Sequence, residues 1–276
     1  MCVENRSINF KSATLHPLDF AYKKVLQKNL QDSYGIKCKI EDLKSIAGPI
    51  EVREIIKKLN PFQYIVGENF RANFHIHSNA SDGRMSAKEY LELCKEWADR
   101  IFKDKNPQDN LPPFSASLTD HNRIDNVKNV IALISQNPKE YKNFKFITGC
   151  EFLLHGYKKP YSAFEAVGLG FNPFDKELEP MMQGFESHND LETTKIIKKD
   201  GALLSWAHPI ITPDKINPDF FQFLKSNGIE AVEGNYQYSK WDQEYVNSIK
   251  PDLEKLIQEF NMLSTGGTDS HIKSIF

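Results

Sequence analysis

The sequence contains few cysteines and no segment that suggests secretion. Its 276 residues include four cysteines, at positions 2, 38, 94 and 150, and no two of them form a CxxC pair. A chain of this length can bury a sizeable core without disulfides, so we expect reduced thiols and a cytoplasmic protein. The N-terminal segment also lacks the basic start and the apolar run of a signal peptide.

Long apolar runs and an excess of charge are also missing. No stretch approaches the roughly 18 consecutive apolar residues that a membrane-spanning helix needs, so we expect no membrane partner. The formal net charge is −2, which gives the whole chain no attraction to nucleic acid or anionic lipid, although a local basic groove stays open. With 40% hydrophobic and 26% charged residues, the composition excludes a fibrous, collagenous or largely disordered chain.

Short apolar runs alternate with helix-period segments through most of the chain. The order strand, helix, strand recurs about seven times, which predicts a parallel α/β fold, either a barrel or an open wound sheet. In such folds the chemistry gathers at the C-terminal ends of the strands. The predicted strands are residues 72–76, 114–119, 144–148, 163–169, 202–206, 228–232 and 262–265.

The predicted helices lie between these strands and in the N-terminal region. Ser86 and Glu89 have the spacing of a capping box, so a helix should begin after Ser86. The first 70 residues contain only helical patterns, and we interpret 1–70 as a helical extension or cap on a main domain of 71–276. The other predicted helices are residues 17–30, 52–59, 126–135, 190–199, 219–226 and 241–260.

The first group of chemically notable residues lies at the end of the first predicted strand. His75 and His77 are two residues apart, so both imidazoles project from one face and could bind one ion. Asp82 follows in a turn, where Gly83 would relax the backbone. Alone, an HxH pair is equally well explained by two strand histidines in ordinary hydrogen bonds.

Two further groups follow the next two apolar runs. His121 comes directly after the first of them, with Asp120 beside it as a supporting group or turn former. Glu151 follows the second, and the two oxygens of a carboxylate there could bridge two cations. Cys150 should face the opposite way, because side chains alternate along a strand. Taken singly, these residues are more simply explained as loop residues.

The last two groups lie towards the C-terminus. His208 ends a very apolar strand, and Pro209 prevents that strand from continuing. Asp269 and His271 share one face after a pair of glycines that would let the backbone approach a crowded centre. Five of the eight histidines therefore end successive predicted strands beside acidic residues, and this convergence predicts a metal centre.

Seven segments, in order, resemble the PHP family, the polymerase and histidinol phosphatase domain of metal-dependent phosphoesterases. They are FHIHSNASDG, LTDHN, TGCEF, AVGLGF, LSWAHP, GIEAVEG and TGGTDSH, and they span residues 72–271. The resemblance implies an α/β fold, a distorted (β/α)7 barrel, here with an N-terminal helical extension. It also implies two or three divalent metal ions (Mn²⁺, Fe²⁺ or Zn²⁺) at the C-terminal face of the barrel.

The resemblance implies a particular set of metal ligands. They are His75, His77, Glu151 and Asp269 for the first ion, Glu151 and His208 for the second, and Asp82, His121 and His271 for the third. Glu151 would bridge the first two ions.

One position departs from the pattern of the family. Glu165 stands where the family often has a histidine that completes the second metal site. A carboxylate there would favour harder ions such as Mn²⁺ or Fe²⁺ over Zn²⁺. Alternatively, Glu165 faces solvent and the second site is weakened, or the nearby His155 substitutes.

These residues predict metal-assisted hydrolysis of a phosphoester by a metal-activated hydroxide, with Glu151, His208 and Asp269 as the catalytic residues. Either Asp269 or His208 would relay a proton. No side-chain nucleophile is needed, in agreement with the absence of a GxSxG elbow. Two alternatives stay open, namely an amidohydrolase-like metal hydrolase acting on an amide or lactone, and a non-catalytic accessory domain.

The substrate would be a small phosphorylated molecule, with nucleotides and oligonucleotide ends among the candidates. Arg84, Arg123 and Lys240 are the candidate phosphate-binding cations, because each closely follows one of the motifs. The N-terminal extension could determine specificity if it reaches the site. His16 and His188 fit no motif and are expected to be structural or surface residues.

Overall fold

The structure is a computed structural model that describes residues 15–59, 70–103, 112–155, 163–184, 189–191, 194–199, 201–235 and 243–274. The helices are α1 (Pro17–Tyr34), α2 (Pro49–Lys58), α3 (Ala87–Lys103), α4 (Asp125–Gln136), α5 (Thr194–Lys198), α6 (Pro218–Ser226) and α7 (Gln243–Glu259). The strands are β1 (Ala72–Asn73), β2 (Phe114–Leu118), β3 (Phe144–His155), β4 (Phe164–Leu169), β5 (Asn189–Asp190), β6 (Leu203–Trp206), β7 (Ala231–Val232) and β8 (Leu263–Ser264).

The strands form one curled sheet that has the architecture of a distorted barrel. Its order is β1-β2-β3-β4-β6-β7-β8, and β5 pairs with β3. The two ends of this order meet, because the amide of Phe74 donates to the carbonyl of Gly266 at 3.0 Å and Ile76 forms a bridge with Ser270. The expected distorted α/β barrel is therefore confirmed.

The expectation of an entirely parallel sheet is wrong for β4. This strand runs antiparallel to both of its neighbours, β3 and β6. Only a short connection separates His155 from Phe164, whereas a parallel crossover needs a dozen or more residues. The reversal places the first residues of β4, including Glu165, at the same end of the barrel as the last residues of β3.

Two predicted elements differ from the structure in ways that affect the site. Strand β3 does not stop at residue 148 but continues to His155, because its second half pairs with β4. The helix predicted over 190–199 is reduced to α5, and Asp190 belongs to β5. The capping box is confirmed, since the amide of Ser86 donates to Glu89 Oε2 at 2.9 Å and the Glu89 amide donates to Ser86 Oγ at 3.2 Å.

The N-terminal helices close one end of the barrel. Val52, Ile55 and Ile56 of α2 share an apolar cluster with strand residues that include Ala72 and Ile147. These contacts remove apolar surface from water at the base of the barrel, which stabilises the fold. Whether 1–70 constitutes a domain of its own stays a prediction.

Polar contacts show which end of the barrel α2 covers. The guanidinium of Arg53 donates to the carbonyls of Gly201 and Ala202, at 3.1 and 3.2 Å, just before β6 begins. The predicted metal ligands other than Glu151 and Glu165 lie beyond the opposite ends of β1, β2, β6 and β8. The described part of the extension, 15–59, therefore covers the base of the barrel, and the idea that the extension determines specificity gains no support from these residues.

None of the helices in the described residues is long and apolar enough to cross a bilayer.

Two valine substitutions test the role of α2 in closing the barrel. Val52 is fully buried whereas Val25, on α1, is 40% exposed. We expect Val52→Ala to lower the free energy of unfolding by about 2 kcal/mol, because it removes two buried methyl groups and leaves a cavity. Val25→Ala should change it by less than about 0.5 kcal/mol. Urea unfolding monitored by circular dichroism measures both, and equal effects would contradict this account of α2.

Candidate metal centre

His75, His77, Glu151 and Asp269 converge inside the barrel as the sequence predicts. The Nε2 atoms of the two histidines are 3.0 Å apart, and both residues are fully buried. Glu151 Oε2 lies 3.1 Å from His75 Nε2 and 3.3 Å from His77 Nε2. Asp269 Oδ1 is 3.0 Å from His77 Nε2. These four side chains form one group that could hold a metal ion.

The other carboxylate oxygen of Glu151 faces a second set of ligand atoms. His208 Nε2 donates to Glu151 Oε1 at 2.9 Å and lies 3.3 Å from Glu165 Oε2. Glu165 also belongs, with His121 and Glu151, to a group that could hold an ion. Oε1 of Glu151 therefore faces His208, whereas Oε2 faces His75, His77 and also His121, whose Nδ1 lies 3.1 Å away. The two oxygens point in different directions, which is the geometry that a bridging carboxylate requires.

A third group surrounds Asp82. Asp82 Oδ2 lies 2.9 Å from His271 Nε2, while Asp82 Oδ1 lies 3.5 Å from His77 Nδ1 and 3.9 Å from His121 Nε2. The rings of His77 and His271 stack with their centroids 4.2 Å apart. The resemblance implies Asp82, His121 and His271 for this group, and the structure adds His77, whose two nitrogens face two different groups.

Glu151 is positioned by its strand rather than by a loop. It lies in the middle of β3, where its neighbours hold it fully buried. The expectation that Glu151 follows a strand is therefore wrong, because pairing with β4 extends β3 past it. Cys150 faces away as expected and directs its thiol to the carbonyl of Asp120 at 3.2 Å.

The backbone around the ligands adopts conformations that side chains other than glycine rarely adopt. His208 has a φ of 30°, Asp269 a φ of 48° and Asn122, next to His121, a φ of 46°. Each such residue costs of the order of 1 kcal/mol or more, and such strain concentrates at functional sites. The surrounding structure holds these residues where their side chains, or those of their neighbours, reach the centre.

The glycines of the site provide space. A Cβ on Gly267 would lie 2.2 Å from Cβ of His75, so only glycine allows the Asp269 segment to approach the first strand. Gly83 does not have the positive φ that a relaxed turn suggests. Its role is also close packing, because a Cβ there would lie 2.5 Å from the carbonyl carbon of His77.

Asp120 supports the turn that carries Asp82. Its carboxylate accepts hydrogen bonds from the amide and hydroxyl of Ser78, both at 2.6 Å. It also accepts one from the hydroxyl of Ser81 at 2.8 Å. Asp120 therefore orients the segment between His77 and Asp82 rather than presenting a ligand atom itself.

Glu233 is absent from the predicted site residues, although it lies in the segment GIEAVEG. It is 1% exposed, follows β7 directly, and contacts both His75 and His208. The sequence did contain a signal for this residue. Like Glu151, Glu233 is a glutamate that follows a predicted strand.

The buried carboxylates change the proton affinity of the buried histidines. Burial acts to lower the pKa of His75, but Glu151, Glu233 and Asp269 outweigh it and hold the pKa well above its ordinary value. For His77, hydrogen bonds to Asp269 and Glu151 outweigh burial and raise the pKa to about 9. The carboxylates therefore attract protons to the histidines, as a concentration of buried negative charge does without cations.

The donor atoms fit divalent metal ions. Among the described residues, His77 Nδ1 is buried without a hydrogen-bond partner, and buried polar atoms are otherwise nearly always paired. Imidazole nitrogens and carboxylate oxygens together suit Mn²⁺, Fe²⁺ and Zn²⁺. The site can hold divalent ions, and its residues supply both the lone pairs and the negative charge.

Two of the predicted phosphate-binding cations are exposed or partly exposed, and the third lies outside the described residues. Arg84 is exposed and forms no ion pair with the described part of the chain. Arg123 has 43% of its side chain exposed and lies 4.0 Å from Asp125. Lys240 lies outside the described residues, as does His188.

Two other histidines have no place in the ligand groups. His155 belongs to none of those found among the described residues, so its substitution for Glu165 gains no support. His16 accepts a hydrogen bond at Nδ1 from the amide of Leu18 at 3.2 Å, as the residue before α1, which is the structural role expected of it.

Comparisons with known proteins identify a fold rather than a family. No family model and no curated protein matches the sequence. A putative metal-dependent phosphoesterase from Bifidobacterium adolescentis has a similar structure, with a TM-score of 0.50, 11% identity and coverage of 72% of this chain and 87% of that chain. An amidohydrolase from Chromobacterium violaceum, with bound sulfate and no metal, aligns with a TM-score of 0.49, 16% identity and coverage of 73% and 88% respectively.

Removal of the bridging carboxylate should disrupt the centre. We expect Glu151→Ala to lose at least one equivalent of bound metal and to abolish any hydrolytic turnover, because two ligand groups share this side chain. Plasma mass spectrometry of protein refolded or dialysed with Mn²⁺ measures the stoichiometry. Unchanged metal content in a folded Glu151→Ala variant would show that another residue is the bridge.

Metal affinity should also depend on pH. A metal ion at the first group must displace the proton from His77, whose pKa of about 9 lies above its ordinary value. As pH rises from 6.5 to 8.5 this competition weakens, so the Kd for Mn²⁺ should fall by roughly tenfold per unit of pH for each displaced proton. Calorimetric titration in two buffers of different ionisation enthalpy measures affinity and proton release. A Kd that does not change with pH, without proton release, would contradict this.

Proposed function

We propose that this protein is a metal-dependent phosphoesterase of the PHP type that acts on a small phosphorylated molecule. The observation that carries the proposal is the position of Glu151, whose two oxygens face separate groups of histidines and carboxylates. The barrel fold and these groups support a metal-dependent hydrolase in general. The specific chemistry is inferred from the motifs and from the arrangement of the ligand atoms.

We propose two or three divalent ions, with Mn²⁺ or Fe²⁺ preferred at the second group. We define the second group by the contacts of His208 with Glu151 and Glu165, so that two carboxylates accompany one imidazole. Glu165 has 30% of its side chain exposed, and burial and the nearby Glu151 raise its pKa. This position supports a ligand role over a solvent-facing one, and a carboxylate-rich group suits harder ions.

When bound, such ions supply an activated water and neutralise charge that develops on a phosphoryl group. The protein's own residues would orient the reactants and transfer protons. Asp269 and His208 border the cluster on opposite sides of Glu151, with 18% and 12% of their side chains exposed. Both side chains are partly accessible to solvent, and we assign the proton relay to this pair.

Recognition of the substrate would use cations at the rim. Arg84 follows the Asp82 turn by two residues, and Arg123 follows His121 by two. Both have exposed guanidinium groups, which match the geometry of a phosphate. We keep the cytoplasm as the proposed location, since the described cysteines Cys38, Cys94 and Cys150 are free thiols.

An assay with model substrates tests the reaction class. We expect protein loaded with Mn²⁺ to hydrolyse p-nitrophenyl phosphate or its bis ester, and Asp269→Asn to lose more than about a hundredfold in kcat. Hydrolysis of p-nitroacetanilide or of a lactone instead would favour an amidohydrolase-like enzyme. A fully metal-loaded protein that turns over none of these would favour the accessory-domain alternative and contradict the proposal.

A substitution of Glu165 tests the proposed preference of the second group for Mn²⁺ over Zn²⁺. Glu165→His replaces a carboxylate oxygen by an imidazole nitrogen, so affinity at the second group should shift from Mn²⁺ towards Zn²⁺. Competition between the two ions, followed by metal analysis, measures this shift, which we expect to be at least fivefold. An unchanged Mn²⁺ to Zn²⁺ ratio would show that Glu165 is not a ligand.

A further inference from the structure

Glu233 links two metal-ligand residues that come from different strands of the barrel. Its Oε1 accepts a hydrogen bond from Nδ1 of His75 at 2.9 Å, and its Oε2 accepts one from the backbone amide of His208 at 2.8 Å. Glu233 is 1% exposed, so both contacts are shielded from water. A charged acceptor strengthens each of these hydrogen bonds.

The contact with His75 determines which nitrogen of that ring is available to a metal. Because an ionised carboxylate can only accept, Nδ1 of His75 carries the hydrogen. In the neutral ring the lone pair is then on Nε2, the atom that lies 3.1 Å from Glu151 and 3.5 Å from Asp269. Glu233 therefore holds His75 in the tautomer and ring orientation that the first ligand group needs.

Glu233 contacts the backbone amide of His208 rather than its ring. His208 has a φ of 30°, in the left-handed region that costs energy for a residue with a side chain. Its amide donates to Glu233 Oε2 in this conformation, and its imidazole reaches Glu151. The hydrogen bond offsets part of the strain and keeps the ring of His208 directed towards the second ligand group.

We propose that Glu233 is a positioning residue that aligns ligands on both sides of the Glu151 bridge, one through its ring and one through its backbone. This inference rests on the metal centre of the proposed function but is independent of the reaction and the substrate. It concerns the affinity and geometry of metal binding, which can be measured without any turnover.

The same strand region provides a matched control. Glu230 lies three residues before Glu233 and forms ion pairs with Arg53 and Lys198, both at 2.7 Å, at the base of the barrel. Glu230→Gln removes a charge and weakens two ion pairs far from the ligands. This variant therefore measures how the loss of a half-buried carboxylate affects the fold without a direct effect on the ligand groups.

The experiment compares Co²⁺ binding by the wild type, Glu233→Gln and Glu230→Gln. In Glu233→Gln the amide oxygen can face only one of the two donors, and the NH2 group, itself a donor, faces the other. We expect Co²⁺ affinity, measured by chelator competition, to fall by about 10- to 100-fold, with a changed visible spectrum of bound Co²⁺. Glu230→Gln should bind within twofold of the wild type, with an unchanged spectrum.

Glu233→Asp provides a second variant if the glutamine variant does not fold. It keeps the charge but shortens the side chain by one methylene, so it should lose one of the two contacts and bind Co²⁺ at least fivefold more weakly. If a folded Glu233 variant had the Co²⁺ affinity and spectrum of the wild type, the role of Glu233 would be disproved but the metal centre would not. An equal loss of Co²⁺ affinity in Glu230→Gln would have the same consequence. Failure of the wild type to bind Co²⁺ would overturn the metal centre as well.

Discussion

The site depends on one electrostatic constraint, which is the burial of Glu151 among other charged groups inside the barrel. A fully buried carboxylate is stable only if cations or donors surround it. Here the surrounding groups are the imidazoles of His75, His77, His121 and His208. Burial acts to raise the pKa of Glu151, but His75, His208 and His77 outweigh it and hold the pKa well below its ordinary value. Divalent ions would also supply the positive charge that a buried carboxylate requires. The other groups of the centre surround Glu151 for the same reason.

The barrel places its apolar packing at one end and its polar and charged residues at the other. At the base, α2 fills the barrel with apolar side chains, and this packing stabilises the sheet. At the other end, polar residues replace the apolar ones, and His208 and Asp269 adopt left-handed backbone conformations. The stability of the packed base offsets the strain and the buried charge of the site.

Local patterns in the sequence predicted most of the side chains that converge in the barrel, because the ends of parallel strands meet at one face. The two-residue spacing of His75 and His77 is local information, although β1 ends at Asn73 and both histidines follow it. The position of Glu165 was harder to predict, since it depends on the antiparallel direction of β4, and that direction follows from pairing with β3 rather than from a local pattern. The length of β3, and hence the burial of Glu151, also depends on this pairing. Glu233 had a local signal in its position at a strand end, but its partners His75 and His208 lie 158 and 25 residues away in sequence and could be found only in the structure.

The central claim is that Glu151 bridges two metal ions within the barrel, and anomalous diffraction from crystals grown with Mn²⁺ tests it most directly. If Glu151 bridges two ions, the anomalous map should contain at least two peaks, one on each side of its carboxylate. One peak would be in contact with His75, His77 and Asp269, and the other with His208 and Glu165. A single ion that contacts only one oxygen of Glu151, or ions bound elsewhere with this cluster empty, would contradict it.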